Sequence, residues 1–285
     1  MRFARVLSLA ILAALACAQE LPITGIAGVG LLTPNLEASR QFYTTTLGFS
    51  EAFSLKNDRG QIVSAFFKVN DDQYIQVSAA PRTDYRMTYV AISTPDVQAM
   101  RKLLLKRGIF PSMPSPGADA NLSFSLKDPD GTRIDFVQRV PESPQAKAVR
   151  KHLGPNRVSS RLWHAGVLTK DPGRSLTFYG DKLGFSETWR GGLAEGDLRW
   201  INLQMPGPDF IELMVSPDAP TRGDIGSMQH ICLSVPDIQA AVQQLTTNGY
   251  TRKIEPRIGR SGRRTFNVTD PDGTRIEIME PKPAR

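Results

Sequence analysis

Cysteine is nearly missing from this chain. Its 285 residues include only Cys17 and Cys232, with three histidines and three tryptophans. Cys17 falls in the N-terminal segment, so a processed chain has no intramolecular disulfide. Packing must supply its stability, even in an oxidising compartment. Long basic runs are also missing, although the formal charge is +7. The densest basic stretch, "RKIEPRIGRSGRR" at 252–264, is loop-like and has no aromatic side chain for stacking on bases. That argues against a nucleic-acid partner and leaves either a solvated loop or a clamp for a small anionic substrate. No apolar run is long enough to cross a bilayer. The longest, Val6 to Ala16, follows Arg2 and Arg5 and precedes small residues, and it reads as a secretory signal over residues 1–18. Ala16-Cys17-Ala18 fits cleavage after Ala18, while "ALAC" also reads as a lipoprotein box with Cys17 lipidated. Both readings make the protein exported, periplasmic or secreted, and loss of the two arginines brings the charge to about +5.

What is present is a duplication. The length suggests about two domains, and 40% apolar residues is ordinary for packed cores. "FYTTTLGFSEAF" at 42–53 returns as "FYGDKLGFSETW" at 178–189, 136 positions later. "PDVQAM" at 95–100 returns as "PDIQAA" at 236–241, offset by 141, and "DPDGTRIDFVQ" at 128–138 as "DPDGTRIEIME" at 270–280, offset by 142. Three matches in one order with a slowly growing offset mean a repeated module with small loop insertions. The modules are expected over 21–140 and 159–282. The Pro- and Ser-containing stretch at 141–158, with His152, reads as a linker.

Each module has two similar halves. In the second, Asp171-Pro172 is an N-cap with proline at the first helical position, and Leu176, Phe178, Tyr179 and Leu183 give an apolar face. Strands are expected near 185–190, 197–204 and 208–215. The pattern then restarts with a strand at 228–235, a helix over 236–248 and strands near 250–255, 264–269 and 274–280. This is β-α-β-β-β twice per module, an α+β fold.

On these motifs the chain resembles the vicinal-oxygen-chelate superfamily, which includes glyoxalase I, extradiol dioxygenases and bleomycin resistance proteins. The resemblance runs from about Ile23 to Pro281. It implies that each pair of units curls into a half-open barrel around a metal, with helices outside.

Period-two reading of the strands then singles out four residues. "LWHAGVL" places Leu162, His164, Gly166 and Leu168 on one face. "FIELMV" sets Glu212 between Phe210 and Met214, "HICLSV" groups His230, Cys232 and Ser234, and "RIEIM" sets Glu277 between Arg275 and Met279. The opposite faces are apolar. A carboxylate buried alone costs several kcal/mol, so it needs a proton, a cation or a metal. Two carboxylates and two imidazoles on one concave face make a donor set for one divalent metal: Zn, Ni, Mn or Fe(II). The resemblance to glyoxalase I places its ligands on the same His164, Glu212, His230 and Glu277. Aligned on the repeat, module one has Gly28, Gln76, Tyr89 and Asp135 instead, a degenerate site. The "DPDG" turns need no ligand role, since Asp-Pro starts a turn and Gly supplies positive φ. Cys232 needs none beyond that of a small buried hydrophobe.

Three chemistries compete. In glyoxalase-like chemistry a metal acts as Lewis acid on a small oxygenated substrate, and Glu277 or Glu212 moves a proton. In extradiol cleavage His164, His230 and Glu277 would form the 2-His-1-carboxylate triad of Fe(II). That family's signature before the last ligand includes a His and a Tyr, whereas here the Tyr position holds Asn267 and no His follows His230. The third reading is a non-catalytic binder of the bleomycin-resistance kind. Glyoxalase I dimers draw each ligand set from two chains; here all four ligands are expected within module two, giving one metal per chain.

Overall fold

The computed structural model describes residues 20–218 and 222–283, so the expected signal segment lies outside the described residues. Module one runs β1 (Gly25–Thr33), α1 (Leu36–Gln41), β2 (Ser50–Lys56), β3 (Ile62–Lys68), β4 (Tyr74–Ala79) and β5 (Met87–Ser93). It continues α2 (Val97–Lys106), β6 (Ser115–Pro116), β7 (Leu122–Lys127) and β8 (Arg133–Gln138), and a short helix, α3 (Pro144–Lys147), follows. Module two begins β9 (Arg161–Thr169), α4 (Pro172–Leu176), β10 (Ser186–Gly191), β11 (Trp200–Gln204) and β12 (Phe210–Val215). It ends α5 (Arg222–Met228), β13 (His230–Ser234), α6 (Ile238–Thr247), β14 (Arg257–Ile258), β15 (Arg263–Thr269) and β16 (Arg275–Pro283).

Each module is one curled, eight-stranded half-barrel sheet, ordered β2-β3-β4-β1-β5-β8-β7-β6 and β10-β11-β12-β9-β13-β16-β15-β14. The fold is α+β, in two tandem modules. Period two sorts the side chains as the sequence implies. Ala165, Val167, Ile211, Leu213, Ile231, Leu233, Ile276 and Ile278 are wholly buried in the shared core, each of the larger ones contributing about 1.5–3 kcal/mol.

The expected helix at 172–183 changes character midway. Asp171 caps α4 by accepting from the Arg174 amide, but the turns Thr177–Lys182 and Phe42–Thr46 are π-helical. Their widened bonds are Leu183 N to Phe178 O and Leu47 N to Phe42 O, both 3.0 Å. The wider turn buries two adjacent aromatics at once, Phe178 with Tyr179 and Phe42 with Tyr43. The expected strand near 250–255 does not form; that stretch is irregular, and the edge pairing is confined to Arg257–Ile258. Helix α5 was not foreseen, and it occupies the connection where the repeat offset jumps from 136 to 141.

The modules lock together around a pseudo-twofold. The Tyr179 hydroxyl donates to Asp128 Oδ2 at 2.9 Å and the Tyr43 hydroxyl to Asp270 Oδ2 at 3.3 Å. At the centre the Ile26 amide donates to Asp209 Oδ2 and the Leu162 amide to Gln73 Oε1, each at 2.9 Å. The first Asp of each "DPDG" turn therefore has a structural role across the interface. The stretch expected as a linker is packed down rather than free. Lys68, fully buried, donates to the Ala148 carbonyl and, at 2.8 Å, to the Lys151 carbonyl, and pairs with Asp71 at 2.6 Å.

Candidate metal centre

Strands β12, β9, β13 and β16 are consecutive neighbours in the second sheet, and each contributes one of the four expected ligands. Glu212 pairs in register with Gly166, His230 also faces Gly166, and Cys232 lies between His164 and Glu277. One donor atom from each of His164, Glu212, His230 and Glu277 falls within 4.8 Å of the others. The Nε2 atoms of His164 and His230 are 3.1 Å apart. His164 Nε2 lies 3.8 Å from Glu212 Oε2 and 3.4 Å from Glu277 Oε2, and His230 Nε2 lies 3.3 and 3.6 Å from the same atoms. Metal–ligand bonds of about 2.0–2.2 Å put adjacent donors roughly 3.0–3.5 Å apart, so the set fits a first-row divalent ion with little rearrangement.

The electrostatics point the same way. Burial would raise both carboxyls, but the imidazoles outweigh it, holding Glu212 below the usual range and Glu277 well below it. Burial lowers His164. Burial and Arg275 also lower His230, yet its hydrogen bonds to Glu212 and Glu277 leave it above its ordinary 6.5. The two ionised carboxylates bring a charge of −2 into a buried site, which a divalent cation would match.

Neighbouring residues position the set. Gly166 is required by space: a Cβ there would lie 2.0 Å from His230 Nδ1 and 2.1 Å from its Cε1, so only glycine lets the ring cross the strand. His230 Nδ1 is 2.8 Å from the Met228 carbonyl, a contact that turns Nε2 toward the carboxylates. Arg275 Nη2 lies 2.7 Å from the same Nδ1 and competes for it, the Met228 carbonyl being the partner when Nε2 is free to ligate. The Thr265 hydroxyl donates to Glu277 Oε1 at 2.9 Å. Among the described residues His164 Nδ1 is buried without a partner, and its ring tilts against Phe210 at 4.4 Å. Sequence reasoning missed Gly166, Thr265 and Arg275. Two of them left a trace, since Gly166 shares the polar face of His164 and Arg275 precedes Glu277 by two. Cys232 is buried beside Trp163, Phe210 and Met279, and burial pushes its thiol well up.

Module one does not assemble a counterpart. Asp135 is taken by Arg133 through bonds of 2.7 and 2.8 Å, and the Tyr89 hydroxyl donates to Gln76. A Cβ on Gly28 would strike the Tyr74 carbonyl at 2.3 Å, so a histidine there would need a shifted backbone. Glu212 and Glu277 open onto a cavity of about 700 Å³, walled by Trp189, Trp200, Met279, Arg257, Arg260 and Arg275.

Known proteins share this architecture. The chain is 25% identical over 234 residues to lactoylglutathione lyase of Schizosaccharomyces pombe, covering 73% of this chain and 70% of the lyase. The 2,3-dioxygenase LapB of Pseudomonas sp. KL28 superposes with a TM-score of 0.68 at 17% identity, covering 92% of this chain and 93% of LapB. The Mn(II)-bound glyoxalase of Novosphingobium aromaticivorans gives 0.68 at 17% identity, over 91% of this chain and 83% of that one. At such identities the two structures establish the fold alone. The profile of the Glyoxalase/Bleomycin resistance protein/Dioxygenase superfamily matches residues 25–136 and again 161–278. With both halves matched, the chain belongs to that superfamily.

Proposed function

We propose that this protein is a metal-dependent enzyme of glyoxalase-like type, acting on a small oxygenated substrate through a single site in module two. The observation that carries the reading is the buried set His164, Glu212, His230 and Glu277, its donors within 4.8 Å and its two carboxylates opening onto a cavity. When bound there, a divalent metal supplies a Lewis acid toward a substrate carbonyl or enediolate oxygen. His164, Glu212, His230 and Glu277 would hold it, Glu277 being anchored by Thr265. Among the described residues Glu212 has no such anchor beyond the imidazoles, so Glu212 is the carboxylate free to swing to the substrate and move a proton at the adjacent carbon. Trp189, Trp200 and Met279 line the cavity, and the two indoles give an apolar substrate body a flat surface.

The basic loop supports an anionic substrate. Arg257 and Arg260 line the cavity mouth and have no carboxylate partner among the described residues. Export is proposed on the sequence of residues 1–18, with the mature chain starting at Gln19 or at a lipid-modified Cys17. Mass spectrometry finding Met1 retained on protein from the native host would overturn it. Two carboxylate ligands, and the lack of the dioxygenase His and Tyr, weigh against ring cleavage.

Metal analysis of the purified protein, then turnover of 2-oxoaldehyde hemithioacetals of small thiols against catechols, tests the assignment. Glu212→Gln should cut kcat on the oxoaldehyde adducts by about 10²–10⁴-fold. Oxygen uptake with catechols and no oxoaldehyde turnover would overturn it.

A further inference from the structure

Module one keeps a cavity where module two carries its ligand set. It measures about 320 Å³, and Gly28, Gln76, Tyr89 and Asp135 all line it. Its floor is closed to metals. Arg133 covers both oxygens of Asp135, and the Ser125 hydroxyl adds a third bond at 2.7 Å. The Gln76 carboxamide accepts from Tyr89 and donates to Ser64 at 3.3 Å and Ser78 at 3.0 Å. These groups satisfy one another.

The rim differs. Gln145, brought in by α3 and only 6% exposed, donates from Nε2 to Asp119 Oδ2 at 2.6 Å, while its Oε1 is buried with no partner among the described residues. Asp119 also accepts from the Asn121 amide at 3.2 Å and from its side chain at 3.0 Å, but no cation pairs with it among the described residues. The other ionic groups of the lining are matched, Arg133 with Asp135 and Arg139 with Asp72 at 3.3 Å. An orphaned buried acceptor thus sits beside an uncompensated carboxylate, in a cavity that also presents Phe66 and Tyr74. A buried acceptor without a partner is costly, and a charged donor flanked by aromatic rings relieves it most.

We propose that module one is a second, metal-independent site for a small organic cation. An ammonium or amidinium group bridges Asp119 and Gln145 Oε1, and an aromatic or apolar body lies along Phe66 and Tyr74. The volume falls at the lower end for ligand cavities, about 300 Å³, which suits a single-ring molecule. This site stands whatever reaction module two performs.

The test is calorimetric titration of the full chain with benzylamine, against benzyl alcohol and benzoate as neutral and anionic counterparts, with and without metal loading. All three tryptophans, Trp163, Trp189 and Trp200, lie in module two, so their emission separates the two cavities. Benzylamine should bind with one equivalent, unaffected by metal and without changing tryptophan emission, at least tenfold more tightly than the other two. Asp119→Asn, which keeps the size and neighbours of the side chain, should weaken it at least tenfold, as should Gln145→Leu, while His164→Ala should not. The proposal fails if benzylamine does not bind, if the three probes bind alike, if Asp119→Asn binds normally, or if the signal moves to tryptophan and is lost in His164→Ala.

Discussion

Adding one methyl group to a residue that ligates nothing should disable the metal centre. In Gly166→Ala the new Cβ would stand 2.0 Å from His230 Nδ1 and 2.1 Å from Cε1. Ordinary contact begins at about 3.4 Å, so ring or strand must move by roughly 1.4 Å, against a tolerance of about 0.2 Å for a metal–ligand distance. The backbone at Gly166 has no positive φ, so the clash alone decides the outcome. Overpacking should cost about 1–3 kcal/mol of stability. Displacing His230 should cost a further 100-fold or more in metal affinity, about 2.7 kcal/mol, the upper end of what supporting residues contribute. Gly30→Ala is the control: its Cβ would meet Tyr89 Cε1 at 2.3 Å, a like clash in module one. Both variants should melt earlier by circular dichroism, and competition with a chromophoric chelator should show weakened metal binding only in Gly166→Ala. Wild-type affinity in a folded Gly166→Ala would refute the reasoning.

Metal should bind at one equivalent per chain, be lost or severely weakened by His164→Ala or His230→Ala, and be unaffected by Tyr89→Phe; two tight equivalents by elemental analysis would contradict a site confined to module two. Because the folded pKa of His230 is raised by Glu212 and Glu277, its stabilisation of the metal-free protein is full below about 6.5 and lost as pH rises through the folded value. The depressed Glu212 and Glu277 stabilise above about 4.5 and lose that as pH falls through their folded values; His164, lowered by burial, withdraws stability as pH falls below about 6.5 and opposes His230, so differential scanning calorimetry should show a sharp loss of metal-free stability only below about 4.5. Metal affinity should fall up to about tenfold per pH unit below the folded pKa of His230, since the imidazolium cannot ligate. Tyr179→Phe removes the hydroxyl bonded to Asp128 at 2.9 Å and should cost about 1.5–3 kcal/mol by urea denaturation, with Tyr43→Phe, whose bond to Asp270 is 3.3 Å, adding a smaller amount independently.

Much of this protein was written locally. The duplication, the Asp171-Pro172 cap, the "DPDG" turns and the assignment of His164, Glu212, His230 and Glu277 to polar strand faces all follow from spacing, because period two and turn chemistry act within a few residues. The same periodicity tells which face a side chain takes but not which strands are neighbours. Convergence of the four residues needed the order β12-β9-β13-β16, set by pairings between residues up to 73 positions apart, as between Arg161 and Ser234. Distance in sequence also hid the supports. Gly166 matters only because His230 lies across it, Thr265 because it faces Glu277, and Lys68 because it ties down a stretch 80 residues later. The π-turns were invisible for a related reason: their apolar spacing is that of an ordinary helix, and the tyrosines they bury, Tyr43 and Tyr179, meet Asp270 and Asp128 only in the other module. The sequence by itself determined which residues could ligate; the tertiary structure decided which of them meet, because proximity between distant segments depends on the packing of the whole sheet.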